Sequence, residues 1–283
     1  MFCDKLILMY VGVDIGGTKT LVAVLDEHGV IVDEQRFETD KNYTDFLEDI
    51  KKAITKLKTQ EFAGGAAGVP GSLNRELGTA IKLGNLPWQN VPIQKDLEDI
   101  FKCPIAIEND AKLGALSEAM LLKDQYNKVL YITISTGIGI GLVVHGLIDA
   151  NLGDAGGKTI MLEHDGKIVD WEEFASGRAI VARYGKRAED ITDPEVWKMI
   201  ASDLAKGFIH LVAIIEPEVI VIGGGVGTYF ERYGDFLKDD IQRYKMPVVK
   251  LPEFIKAQRP EQAVVYGCYD LAKQKFPHAY THN

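Results

Sequence analysis

Apolar residues near the start of the chain fall in two dense runs, Val11–Ile15 and Thr20–Asp26, separated only by GGTK. Short β-branched runs bounded by glycine predict strands joined by a tight turn. The second run closes on DEHG, a turn signal, and Val30–Phe37 supplies a third strand, so the chain is expected to open as an antiparallel meander. From Tyr43 to Thr59 the period changes, with Phe46, Ile50, Ile54 and Leu57 recurring at helical spacing. Gly64–Val69 reads as a short apolar strand ending at Pro70–Gly71. Ile105–Ile107 reads as another, ending at Glu108–Asn109–Asp110, and Ala111–Leu122 as a helix with Leu113, Leu116 and Met120 on one side.

The pattern then repeats. Val129–Ile134, the turn STGIG and Ile140–Val144 predict a second strand–turn–strand unit, and an offset of 121 residues (135 − 14) lays Ser135 on Asp14 and Gly137 on Gly16. Two such hairpins, one opening each half, predict a duplicated fold with a cleft between lobes, although short Gly-turn hairpins also resemble one another by chance. One helix is expected over Trp171–Tyr184 and another over Glu195–Ile215, with Pro194 as its start signal. Val219–Ile222 reads as a strand, Gly223–Gly224–Gly225 leads into a further helical stretch, and Gln262–Lys275 forms a last helix. The expected division is a first lobe over 1–119, with the helix of 262–283 packing back on it, and a second lobe over 120–261.

Composition narrows the classes. The chain has 283 residues, 46% hydrophobic and 26% charged, without low-complexity tracts, as expected of a folded globular protein. A formal charge of -9 argues against nucleic acid as a partner, since such binders present a basic face. Any phosphate must then be met by local backbone N–H groups and a metal rather than by the overall field. Cys3, Cys103 and Cys268 stand far apart without CxxC spacing, which argues against a disulfide framework or a Cys-rich zinc site and fits a reducing cytoplasm. The apolar start, Leu6–Val13, is too short to span a bilayer, and no membrane partner is expected.

Four segments carry candidate chemistry. In DIGGTKT, the adjacent Gly16 and Gly17 let a ligand approach the backbone, Thr18 adds a hydroxyl beside Lys19, and Asp14 stands where it could hold a phosphate-bound Mg²⁺ through water. A plain hairpin would explain the glycines but has no need of both Asp14 and Thr18. In STGIGIG, Thr136, Gly137 and Gly139 offer a second phosphate cradle, or simply a bulged edge strand. Gly223, Gly224 and Gly225 follow a strand, where a ribose or a flat ring can lie against the backbone. A dinucleotide-binding reading fits poorly, because the chain does not open by alternating β and α. In END, a strand delivers Asn109 and Asp110 to a helix start. Either residue could serve as an N-cap, and Asp110 is also placed to take a proton from a substrate hydroxyl. Glu172 and Glu173 in WEEFASG suit a helix N-terminus without any function, and the six histidines show no ligand spacing.

Taken together, DIGGTKT, NLPW at 85–88, AIENDAKLGALSEA at 106–119, STGIGIG, WEEFASG and PEVIVIGGGV at 217–226 resemble, in order, the segments of the ROK (repressor, open reading frame, kinase) family. The resemblance runs from about Tyr10 to Tyr269. It implies an actin-like ATPase (ribonuclease H-like) α/β fold, two lobes with a nucleotide cleft between them, and a homodimer. It implies ATP and Mg²⁺ as cofactors and a sugar-like small molecule as substrate, as in glucokinases and N-acetylhexosamine kinases. By the same resemblance Asp110 is the general base. Gly71, Asn109, Asp110 and Glu172 bind the sugar, the two Gly turns hold the ATP phosphates, and Gly223–Gly225 meet the adenosine.

The chain also departs from the family pattern. A Glu-x-Gly-His segment and a zinc loop of the form CxCGxxGC would follow the second hairpin, where this chain reads LGDAGGKTIMLEHDGKIVDWEEF. One register puts Gly157 and Ile160 at the Glu and His positions, another Ala155 and Lys158, and neither keeps the family residues. Zinc is not expected, and Asp154, Lys158, Glu163 and His164 are the candidates to compensate. These losses keep a second function in view, a non-catalytic protein that binds sugar or nucleotide. A third is an actin-like ATPase performing conformational work.

Overall fold

The computed structural model describes residues 8–259 and 262–277. The chain divides into two compact units, one running to Ser117 and resuming at Gln262, the other spanning Glu118–Glu261. The first unit begins with β1 (Tyr10–Ile15), β2 (Lys19–Leu25), β3 (Ile31–Glu38) and α1 (Tyr43–Ile54). It continues with β4 (Gly64–Val69), β5 (Gly71–Asn74), β6 (Thr79–Leu83), β7 (Gln89–Val91), α2 (Ile93–Phe101), β8 (Ile105–Asn109) and the opening turns of α3 (Asp110–Leu122). The second unit contains β9 (Lys128–Ile134), β10 (Ile138–Val144), β11 (Leu147–Ile148), β12 (Met161–His164), β13 (Lys167–Asp170), α4 (Trp171–Ala175), α5 (Gly177–Tyr184), α6 (Pro194–Ile215), β14 (Val219–Gly223), α7 (Gly224–Gly227), α8 (Gly234–Tyr244) and β15 (Glu253–Lys256). The last helix, α9 (Ala263–Lys275), returns to the first unit.

Each unit is built on a five-stranded sheet, β3-β2-β1-β4-β8 in the first and β11-β10-β9-β14-β15 in the second. In both, the meander is antiparallel and the last two strands join parallel to the first. The duplication is therefore real at the level of strand order, but the 121-residue offset is not the one the sheets use. Asp14 pairs with Gly68 at the last parallel rung of β1 and β4, and the equivalent rung of β9 and β14 pairs Thr133 with Gly223. Thr133, not Ser135, thus stands where Asp14 stands. The second hairpin closes on three residues, Ser135–Gly137, against four in the first, so no single offset fits both strands.

One face of the first sheet packs on α1 and α2 through Val11, Val13, Phe46, Ile50, Leu97 and Phe101, all essentially inaccessible. The other face is lined with small residues because α9 lies close on it. A Cβ at Gly68 would meet Val264 at 2.4 Å, and one at Gly12 would meet Cys268 at 3.1 Å. The expected helix over Tyr43–Thr59 stops earlier, at Ile54. Lys56 and Leu57 bond back only three residues, to Ala53 and Ile54, which tightens the chain into a turn while still burying Leu57. In the second unit Trp171 and Trp197 are fully buried among α6 and its neighbours, each such ring contributing roughly 2–3 kcal/mol by burial. Trp171 lies flat against α6 where Gly207 leaves room, a Cβ there falling 2.3 Å from the indole. The single helix expected over Trp171–Tyr184 is two. Ser176 adopts an extended conformation (φ −72°, ψ 164°), ending α4 and capping α5 through its side chain to the Ala179 N–H. No helix among the described residues is long and apolar enough to cross a membrane.

Candidate functional site

In the first unit the DIGGTKT turn closes with the Gly16 N–H donating to the Lys19 carbonyl at 2.9 Å. The N–H groups of Gly17 and Thr18 donate to no described residue, and the Thr18 and Lys19 side chains are exposed. Lys41 braces the turn, its Nζ donating to the carbonyls of Gly17 (2.7 Å) and Asn85 (3.2 Å). The NLPW segment is thereby fixed beside this turn. A Cβ on Gly17 would lie 2.7 Å from that of Asn85, and Trp88 donates to the Lys41 carbonyl while packing on Phe46. Nothing in the local pattern around Lys41 pointed to this role.

The END segment caps the helix that follows it. Asn109 ends β8 and accepts from the N–H groups of Ala111 (3.0 Å) and Lys112 (3.3 Å), a helix cap, while its amide donates to the Gly71 carbonyl at 3.2 Å. Gly71 has φ +140°, and a Cβ there would fall 2.2 Å from the Lys82 carbonyl oxygen, so glycine is required. Asp110 begins α3, one oxygen accepting from the Ala111 N–H at 2.8 Å. Glu108, buried beneath, is held by a bidentate pair with Arg75, whose Nε lies 2.9 and 3.1 Å from its two oxygens, and it accepts the Asn109 N–H at 2.7 Å. Arg75 lies 33 residues before its partner, in a polar stretch whose pattern carries no signal of the pair.

Asp14 and Asp110 come close enough to repel. Burial, then the Asp110 charge, pushes the Asp14 carboxyl up to about 7, with Arg36 pulling it back in part. Two carboxylates that resist being ionised together are a donor set whose repulsion a divalent cation would relieve. Among the described residues no cluster of three or more His, Cys, Asp or Glu could hold a metal ion. The raised value has a consequence for stability. An acid that binds its proton more tightly folded than unfolded stabilises the fold fully below about pH 4 and loses that contribution as pH rises towards 7. In metal-free buffer Asp14→Asn is therefore expected to flatten this limb and to exceed the wild type at pH 8 by on the order of 3 kcal/mol. Urea midpoints of both proteins at pH 5 and pH 8 measure it; parallel pH dependences would refute the assignment.

In the second unit the STGIG turn is closed by the Ser135 N–H donating to the Gly137 carbonyl at 2.8 Å. Thr136 is exposed, and the N–H groups of Thr136 and Gly137 donate to no described residue. The Gly177 N–H donates to the Ser135 carbonyl at 2.7 Å, which explains the break between α4 and α5: the extended Ser176 brings Gly177 against this turn. Glu172 is buried beneath it and accepts the Ile138 N–H at 3.0 Å. A Cβ on Gly137 would strike that carboxylate at 2.5 Å. Gly139 follows on β10. Gly223 continues β14 and Gly224 turns into α7, a Cβ on Gly224 falling 2.5 Å from the Ile134 carbonyl oxygen, while Gly225 faces open space. The GGG segment and the STGIG turn are thus neighbours.

Of the residues considered as compensating for the missing family positions, Lys158 reaches Glu172, its Nζ 3.6 Å from the carboxylate. Glu163 accepts the Gly166 N–H in its hairpin turn. His164 stacks on Phe174 and contacts Arg183 and Lys206, beside Asp203.

A doubled sheet of this strand order, each copy opened by a hairpin with a glycine turn, defines an actin-like ATPase fold of two lobes. The chain belongs to the ROK family, whose model matches residues 10–275. It is 26% identical to a glucokinase of Streptomyces coelicolor, covering 94% of this chain and 98% of that one. It is 29% identical to an N-acetyl-D-glucosamine kinase of Haemophilus influenzae, covering 93% and 99%. Among solved structures it is similar to the ROK hexokinase from Thermus thermophilus, at 26% identity and a TM-score of 0.76 over 95% of this chain and 99% of that chain.

Proposed function

We propose that this chain transfers the γ-phosphoryl group of ATP to a hydroxyl of a sugar or sugar-like molecule, with Asp110 as general base. It is a carbohydrate kinase. The observation that carries the residue assignment is Asp110 at the first position of α3, beside Asp14 and next to an Asn109 pinned to Gly71. As the acceptor oxygen bonds to phosphorus, the bond from phosphorus to the β-phosphate oxygen breaks, ADP leaves, and the hydroxyl proton passes to Asp110. Asn109, Gly71 and Glu172 orient the acceptor. The turns at Gly16–Lys19 and Thr136–Gly139 hold the phosphates, and Gly223–Gly225 take the adenosine. Mg²⁺ at Asp14 would supply charge neutralisation on the phosphates.

The remaining parts of this reading are a cytoplasmic setting and a homodimer. The dimer is supported by Met161 and Ile168, which stand exposed on the β12–β13 hairpin. The test is a panel of sugars with ATP and Mg²⁺, followed by coupled ADP detection. Sugar-stimulated ADP release is expected from at least one member. The replaced Glu-x-Gly-His segment favours a second reading, a sensor without turnover. Ligand-induced thermal shifts with no ADP from any acceptor would establish that instead.

A further inference from the structure

The segment Gly156–Thr159 forms one 3-10 turn packed onto the start of β10. Two glycines make that approach possible. Gly156 has φ +55° and no room for a Cβ, which would lie 2.3 Å from the Ile138 carbonyl oxygen, and a Cβ on Gly157 would meet Ile138 at 2.9 Å. The effect is to set Lys158 beside Glu172 from one side, while Arg178, in the first turn of α5, reaches the same oxygen from another at 3.5 Å. Both cations address Oε1, and the Ile138 N–H binds Oε2.

A buried carboxylate needs compensation, and one cation with the Ile138 N–H would supply it. Here there are two. At 3.5–3.6 Å both stand beyond good hydrogen-bond distance, and neither side chain donates a hydrogen bond to a described residue. The Lys158 and Arg178 side chains are 54% and 63% exposed, against 9% for Glu172. The cluster carries an excess positive charge whose donors are turned to solvent, next to a glycine turn with two N–H groups of its own to offer. That is the chemistry of an oxyanion site.

We propose that Lys158 and Arg178, set over Glu172 beside the STGIG turn, bind an oxyanion group carried by one of the reactants. The group is either the terminal phosphate of the nucleotide or an acid group on the acceptor itself. The site rests on the kinase reading only for the identity of the reactant. Isothermal titration of the full chain with four probes distinguishes the sources: Mg²⁺–AMPPNP against AMP, and gluconate against glucose.

If the nucleotide supplies the anion, Lys158→Met weakens AMPPNP roughly tenfold or more and leaves AMP unchanged; if the acceptor supplies it, gluconate weakens by that factor and glucose does not. Arg178→Met is expected to shift the same probe in the same direction, and Lys158→Arg to retain most of the affinity. The proposal is overturned if Lys158→Met binds AMPPNP and gluconate as the wild type does. It is equally overturned if all four probes weaken together, which would make the lysine a mere support for Glu172. Absence of ADP release with every acceptor, with these binding differences intact, would remove the kinase reading and leave the oxyanion site standing.

Discussion

Asp110→Asn is expected to lower kcat by about 10²–10⁴-fold while Mg²⁺–AMPPNP still binds within a fewfold of wild type. The amide keeps the size of the side chain and its acceptor for the Ala111 N–H, so α3 begins as before. What is lost is the ability to take a proton and the charge felt by Asp14. A second readout follows from that charge. Without Asp110 ionised nearby, the Asp14 carboxyl falls back towards the ordinary carboxylate range, and the loss of stability between pH 4 and pH 7 becomes shallower. A variant that merely damaged the fold would not produce this pair of changes. Full turnover in Asp110→Asn would strike Asp110 from the role of base.

Arg75→Ala is expected to destabilise the first unit by on the order of 3 kcal/mol, since it strands the buried Glu108 carboxylate without its bidentate partner. Activity should fall further than stability at the assay temperature explains. Glu108 receives the Asn109 N–H, and a shifted Glu108 moves Asn109 and the start of α3 with it. Adding Glu108→Gln should recover part of the lost stability by removing the orphaned charge. Urea midpoints of the single and double variants, with kcat measured in parallel, check both statements; an unchanged midpoint in Arg75→Ala would show the pair to be energetically idle.

These two predictions divide what was legible in the sequence from what was not. Asp110 was legible because β-strand signals end abruptly at END and helical spacing resumes at once. The first glycine turn was legible as more than a hairpin because Asp14 and Thr18 flank glycines that turn geometry alone would explain. Arg75 was not, since its partner is distant in sequence and one arginine in a polar stretch gives no periodic signal. Lys41 gave no signal either, because its bonds go to backbone carbonyls rather than to a complementary side chain. The failed offset shows a limit of another kind. Leu21 and Val22 match Leu142 and Val143 as letters, yet the ladder pairs Asp14 with Leu21 but Ile138 with Ile134, a register that hydrophobicity alone does not fix. The helix break at Ser176 is completed by a tertiary contact that helical spacing does not report, the Gly177 N–H donating to the Ser135 carbonyl.

The packing of α9 on the glycine-lined face of β1 and β4 also fixes an order of events during synthesis. The first stretch of the N-terminal unit is made before the second unit, but the helix that covers Gly12 and Gly68 is made only after it. The second unit is contiguous and can complete its core before that helix exists. The N-terminal sheet must therefore wait, with one apolar face bare, through the translation of more than a hundred intervening residues. Nascent chains released before residue 262 should accordingly be captured by chaperones through the first unit, although the second is already folded.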